Sequence, residues 1–201
     1  MRDFSNTQIV ELAAIVANQL RQQGIEVVLV GGLAVEIYSE NIYLTKDIDM
    51  VDISYQAPAV ISQAMAEIGF RKQGRVYVNE TTDICVEFPS APLSVGEELI
   101  TETTVIESGS GEIQILLAKD VIKDRLAAYF DWQDKPSLVQ ALAVMINHPV
   151  ALDELKSFCQ NEDKEGEFDL IQQLLNSAKD QALSRMVDIE KLVISETLRS
   201  L

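Results

Sequence analysis

The apolar positions of the chain fall into two periods, and each period predicts its own kind of element. Helical spacing comes first: Ile9, Leu12, Ala13, Val16 and Leu20 step by three or four residues toward a stop at Gly24. Ser5-Asn6-Thr7-Gln8 ahead of them fits a capping box, with Phe4 and Ile9 placed as a hydrophobic staple. A short apolar strand over Glu26–Val30 follows, then a short helix over Leu33–Ser39 and a second strand over Asp47–Asp52. Pro58 suits the first turn of another helix, whose apolar side is Val60, Ile61, Ala64, Met65 and Ile68 and whose end is Gly69. Alternation of period two predicts strands at Val76–Asn79 and Asp83–Phe88. After a loop at Pro89–Pro92, Thr104–Glu107 and Glu112–Leu116 flank Ser108-Gly109-Ser110-Gly111, a hairpin signal that extends the sheet.

From Ala118 on, the pattern is helical: Ala118–Phe130, Pro136–Asn147, Ala151–Cys159, and one long helix from Gly166 to the end. His148-Pro149 and the polar stretch Asn161–Glu167 are the breaks. In the long helix Ile171, Leu174, Ala178, Ala182, Met186, Ile189 and Val193 form one stripe. Leu175, Leu183, Val187, Ile194 and Leu198 widen it, which points either to a broad internal core or to a partner helix in a homodimer. The fold class expected is mixed α/β, of the α+β kind: a small mixed sheet flanked by helices over residues 1–117, then a helical region packed on it over 118–201.

Composition narrows the function classes. An apolar fraction of 47% over 201 residues is enough for a sizeable core. No run of about 18 apolar residues exists, so no membrane span is expected, and Asp3 among polar residues does not read as a secretory leader. Cys85 and Cys159 are isolated, which argues against a disulfide framework and for a reducing, cytoplasmic setting. Thirty-two acids stand against 16 bases, giving a net charge of −16, with no base between Val76 and Ala118. Grip on DNA or RNA needs lysine and arginine along the phosphate path, so a long nucleic acid is disfavoured. Outside a local pocket, the acidity serves solubility.

The chemistry concentrates between Val28 and Val51. Val28-Leu29-Val30-Gly31-Gly32 reads as a buried strand running into a glycine turn, where backbone N–H groups can approach a phosphate at a helix start. In the second strand side chains alternate between faces, so Asp47 and Asp49 project together while Ile48 and Met50 point into a core. Two adjacent carboxylates repel and raise each other's pKa unless a cation lies between them. All-oxygen ligands suit magnesium or manganese.

These residues resemble the nucleotidyltransferase superfamily, the polymerase-beta-like fold, whose signature is a hydrophobic residue, Gly-Gly or Gly-Ser, a short helix, then Asp-h-Asp. Gly31-Gly32-Leu33-Ala34 with Thr45-Lys46-Asp47-Ile48-Asp49 is most similar to the AbiEii/MNT-like toxin–antitoxin branch. Fourteen residues separate Gly32 from Asp47, and Tyr43 stands where many relatives have an arginine. The likeness implies a nucleotidyltransferase-type sheet with a third carboxylate in an h-[Asp/Glu]-h context. Val86-Glu87-Phe88 fits that, making Glu87 the choice over Asp83, with both simply facing solvent as the alternative.

A second stretch, Lys119-Asp120-Val121-Ile122-Lys123-Asp124-Arg125, is the densest basic element of the chain. Lys123 to Asp134 resembles nucleotidyltransferase-fold proteins that read Asp-Arg-Leu-Ala-Ala, then Trp-x-Asp, then a Gln-Ala helix, here Gln140-Ala141. By that likeness Lys123 or Arg125 would meet the phosphates and Asp134 would orient one of them; otherwise the stretch is a salt-bridged helix. Trp132 either stacks on a base or belongs to the core. Arg71, Lys72 and Arg75 are either the rim of a nucleotide pocket or relief for an acidic surface.

The resemblance implies a Mg2+- or Mn2+-dependent enzyme. It would bind a nucleoside triphosphate at Gly31, Gly32, Thr45, Lys46, Lys123, Arg125 and Asp134, with Asp47, Asp49 and Glu87 as catalytic and metal-binding acids. The product would be a nucleoside monophosphate joined to a protein or small-molecule hydroxyl. The alternative is a non-catalytic nucleotide-binding or antitoxin-like module that binds another protein.

Overall fold

The computed structural model describes residues 2–96 and 98–199. Its elements run in the order α1 (Ile9–Gln22), β1 (Val27–Val30), α2 (Gly31–Tyr38), β2 (Asp47–Asp52), α3 (Pro58–Glu67), β3 (Arg71–Gln73), β4 (Val76–Val78) and β5 (Cys85–Glu87). Then come β6 (Ser94–Val95), β7 (Glu98–Leu99), β8 (Thr103–Ser108), β9 (Gly111–Leu116), α4 (Ala118–Trp132), α5 (Lys135–Asn147), α6 (Leu152–Asn161), α7 (Glu165–Asp180) and α8 (Met186–Arg199). This is a mixed α/β fold, and it divides into two compact units. The first holds residues 1–34, 45–94 and 99–117; the second holds 35–44, 95–98 and 118–201.

The first unit is built on a seven-stranded sheet of order β3-β4-β5-β2-β1-β9-β8. β1 runs antiparallel to β2 and parallel to β9, while β2 runs parallel to β5. Register puts Leu29, Met50 and Ile115 on one face, joined by Ile48, Val86 and Tyr77. All of these are buried, and α1 and α3 cover them. The Tyr77 hydroxyl shares a 2.7 Å hydrogen bond with Ser62 of α3, which fixes which face the helices cover. β8 and β9 form the hairpin expected from Ser108–Gly111, with Ser108 paired to Gly111 across a two-residue turn. The small β6–β7 ribbon gives no signal in the sequence, because its strands are two residues each.

Two expectations for α1 need correction. The helix begins at Ile9 with Gln8 as its cap residue, and no side chain caps it. Ser5 instead donates its backbone N–H to the Asp3 carboxylate, and Phe4 packs on Phe70, 5.6 Å between ring centroids, so neither the capping box nor the staple forms.

The second unit packs α4 on α5, α5 on α7 and α8, and α6 on α7. The single long C-terminal helix expected from the stripe is two helices. α7 ends at Asp180, where Ala182 takes a φ of +48°. Leu183 N–H donates back to Ala178 O and Ala182 N–H to Lys179 O, the paired bonds of a Schellman stop. Leu175 is buried, whereas Val187, Ile194 and Leu198 on α8 are exposed. Residues 35–44 join this unit through contacts that sequence patterning does not reveal. Tyr38 meets His148 edge-on at 5.0 Å, and Asn147 Nδ2 donates to Ser39 O at 3.1 Å. No helix among the described residues is long and apolar enough to cross a membrane.

Candidate functional site

The site residues of the sheet unit follow from one alternation. Ile48 and Met50 are fully buried under the helices, so Asp47 and Asp49 must emerge on the opposite face of β2. Parallel register then sets Cys85 beside Asp47 and Glu87 beside Asp49, on the same face of β5. Asp47 is exposed, while Asp49 and Glu87 are half-buried.

β1 passes into α2 with no intervening loop. Val30 pairs with Asp49, and the next residue, Gly31, already opens the helix with a φ of +64°. A Cβ on Gly31 would collide with Asp49 Oδ2, so the carboxylate lies in the space that a side chain would fill. The first turn of α2 leaves its N–H groups without intrahelical partners at this same strand end. A donor-rich helix start and a carboxylate-bearing strand end therefore meet at Gly31.

Thr45 and Lys46 shape the entry to β2. Thr45 Oγ1 accepts the Asp47 N–H at 3.2 Å, and Lys46 Nζ pairs with Asp83 Oδ2 at 3.2 Å on the exposed surface. Asp83 is thereby tied to Lys46, and Glu87 to Arg75 Nε at 3.5 Å. Of the basic cluster Arg71, Lys72 and Arg75, Arg75 pairs with Glu87 while Arg71 pairs with Glu80. Cys85 is held above the usual thiol range by partial burial first, then by the charges of Asp47 and Asp83. By contrast Asp52, the third acid of β2, is a structural residue: its carboxylate accepts the N–H groups of Ser54 and Gln56 at 2.8 and 2.6 Å.

A hard divalent cation fits this donor set chemically, since Asp47, Asp49 and Glu87 offer only carboxylate oxygens on one sheet face. Among the described residues no three His, Cys, Asp or Glu side chains converge as a ready-made metal group. Glu87 is turned to Arg75 instead.

Lys123, Arg125 and Asp134 belong to the helical unit, and each has a partner there. Lys123 is buried, with Nζ 3.1 Å from Glu98 Oε2 and 3.3 Å from Glu154 Oε1, over the ring of Phe158. Burial pulls its pKa down, but the bonds to Glu98 and Glu154 outweigh this and hold the ammonium above its ordinary range. Asp120 alongside is pushed up by burial, against the opposing pull of Lys119 and Lys123. Arg125 grips Asp124 through Nε and reaches Gln140 Oε1 at 3.4 Å. Asp134 Oδ2 accepts the Ser137 hydroxyl at 2.5 Å at the start of α5. Trp132 is 82% exposed, so it is no part of the core.

No family model, curated protein or solved structure matches the chain.

Proposed function

We propose that the chain is a metal-dependent nucleotidyltransferase that moves a nucleoside monophosphate from a triphosphate to a hydroxyl of a protein or small molecule. The observation that carries this reading is the meeting at Gly31: a loopless strand-to-helix passage whose missing Cβ makes room for Asp49, with Asp47 and Glu87 on the same sheet face. Asp47, Asp49 and Glu87 would hold magnesium, which when bound supplies positive charge to neutralise the phosphates and lower the pKa of an attacking hydroxyl. The N–H groups at the start of α2 would cradle phosphate oxygens. Lys46 and Arg75, at the two ends of the acidic row, would keep a polyanion from being repelled by the acids beside it. Positioning and charge neutralisation account for most of the rate in such chemistry.

A second reading, a non-catalytic nucleotide-binding or antitoxin-like module, is favoured by one observation: Glu87 is engaged by Arg75 rather than gathered with Asp47 and Asp49. The test is calorimetric titration with ATP, GTP, CTP and UTP, with and without magnesium, on the wild type and on Asp47→Asn/Asp49→Asn. The transferase reading expects magnesium-dependent binding of at least one triphosphate, weakened tenfold or more in the double variant. α-Labelled nucleotide should then label an acceptor. Binding without transfer moves the case to the second reading; absence of any binding removes the transferase and leaves only the protein-binding form of the second reading, which pull-downs for a partner then test.

A further inference from the structure

We propose that the helical unit carries a second ligand site, for a small organic anion with an apolar body, in two adjoining cavities that share Lys135. The first is a cleft of about 250 Å3 lined by Tyr43, Val139, Met186, Val193 and Ile194. The second, of about 350 Å3, is polar and lined by Tyr129, Gln133, Lys164 and Thr197, among others. Lys135 lines both. Val193 and Thr197 stand one turn apart on α8, and Lys135 Nζ lies 3.4 Å from Thr197 Oγ1, so one side chain spans the junction.

Charge selects the ligand. The protein carries −16 overall, and among its described cations Lys46, Arg71, Arg75, Lys119, Lys123, Arg125, Arg185 and Lys191 have a carboxylate partner. Among the described residues neither Lys135 nor Lys164 does, and both face the polar cavity. The cavity's single lining acid, Glu167, accepts the Tyr129 hydroxyl at 3.0 Å, so one of its oxygens is already engaged. Within the polar cavity two ammonium groups stand against one carboxylate, which makes it locally positive in an acidic molecule and leaves the second acid, Glu190, to the adjoining cleft. The adjoining cleft is aliphatic, with Gln140 and Glu190 as polar groups at its edge. Each cavity lies near the lower bound of about 300 Å3 for small-molecule sites, a size for a short amphiphile and too small for a partner helix. The head would sit on Lys135 and Lys164, and the apolar body would replace water against Val139, Val193 and Ile194.

Octanoate and octyl phosphate are the probes, with 1-octanol and inorganic phosphate as controls. Trp132, the lone tryptophan and the neighbour of cavity residue Gln133, supplies a fluorescence readout, and calorimetry checks it. Both amphiphilic anions should bind at least tenfold more tightly than octanol or inorganic phosphate; the tighter of the two identifies the head as carboxylate or phosphate. Lys135→Gln/Lys164→Gln should weaken both anions tenfold or more and leave octanol unchanged. Ile194→Asp, at a partly exposed position, should weaken octanoate and octyl phosphate alike. Octanol binding as tightly as octanoate, inorganic phosphate matching octyl phosphate, or wild-type affinity in the lysine variant would each overturn the proposal, as would no binding at all. Thermal melts of both variants establish that they are folded.

Discussion

The two units handle charge in opposite ways. In the helical unit Lys123 is enclosed, and its ammonium is answered from two elements by Glu98 and Glu154. In the sheet unit Asp47, Asp49 and Glu87 share one face, with Arg75 paired to Glu87 and Lys46, next to Asp47, paired to Asp83. A buried charge that its own chain neutralises is part of the fold, because removing its partner leaves an uncompensated charge. A row of like charges kept at partial exposure contributes nothing of that kind to folding. Partial exposure keeps these carboxylates hydrated. The same residue classes thus serve structure in one unit and are available for chemistry in the other.

The sharpest way to break that contrast is Lys123→Ala. It leaves Glu98 and Glu154 facing each other beside Asp120, so urea unfolding should show a loss of about 3 kcal/mol, whereas Asp49→Asn should leave stability within about 0.5 kcal/mol. Equal losses in the two variants would erase the distinction. Next comes Gly31→Ala. The positive φ and the contact with Asp49 both oppose a Cβ, and a cost of about 2 kcal/mol is expected. Because the displaced group is Asp49, the proposed transferase reading expects the same variant to lose magnesium-dependent nucleotide binding as well.

Alkaline titration sharpens the comparison further. Burial, then Glu167, pushes the Cys159 thiol up to about 11 and the Tyr129 phenol up to about 12. Burial and then Asp120 push Tyr38 up to about 12, and Lys123 is also raised. All four lie in the helical unit, against the single raised thiol Cys85 in the sheet unit. Each raised pKa means the folded state binds more protons than the unfolded chain, so stability falls as pH rises. The loss starts near the ordinary thiol value of 9.0 and continues to about 12. Amide-exchange or circular-dichroism melts across that window should show the helical unit weakening first; simultaneous loss of the sheet unit would contradict it. The smallest effect expected is Ala182→Gly, which relieves a left-handed alanine and should add about 1 kcal/mol, read as a rise in melting temperature.

What could be read from the sequence followed the strength of each local signal. β2 and the start of α3 at Pro58 fall where period and turn chemistry place them. The opposition of Asp47 and Asp49 to Ile48 and Met50 was legible because a strand has only two faces. The stops of α1 and α3 were marked by Gly24 and Gly69, whose φ values are +73° and +88°. The stop of α7 was not, because alanine carries no mark of a left-handed residue and the apolar stripe continues across the break. The partners of Lys123 and Glu87 were equally hidden. Glu98 is 25 residues from Lys123 and Arg75 is 12 residues from Glu87, and neither separation leaves a periodic trace. Side-chain pairing of this kind is decided by tertiary approach, which patterning along the chain does not encode.

The Schellman stop recurs beyond α7. Glu40 after α2, Asp163 after α6 and Ala182 after α7 each hold a positive φ and each donate back into the helix they end. In the genetic code alanine, aspartate and glutamate all lie a single base change from glycine, the residue that occupies this conformation without strain. Three independent point mutations therefore offer this lineage added helix stability without touching a core or a site residue. A chain with such steps still open has been held at sufficient rather than maximal stability. Taking those steps first would give it room to absorb the destabilising substitutions through which a new substrate or partner is acquired.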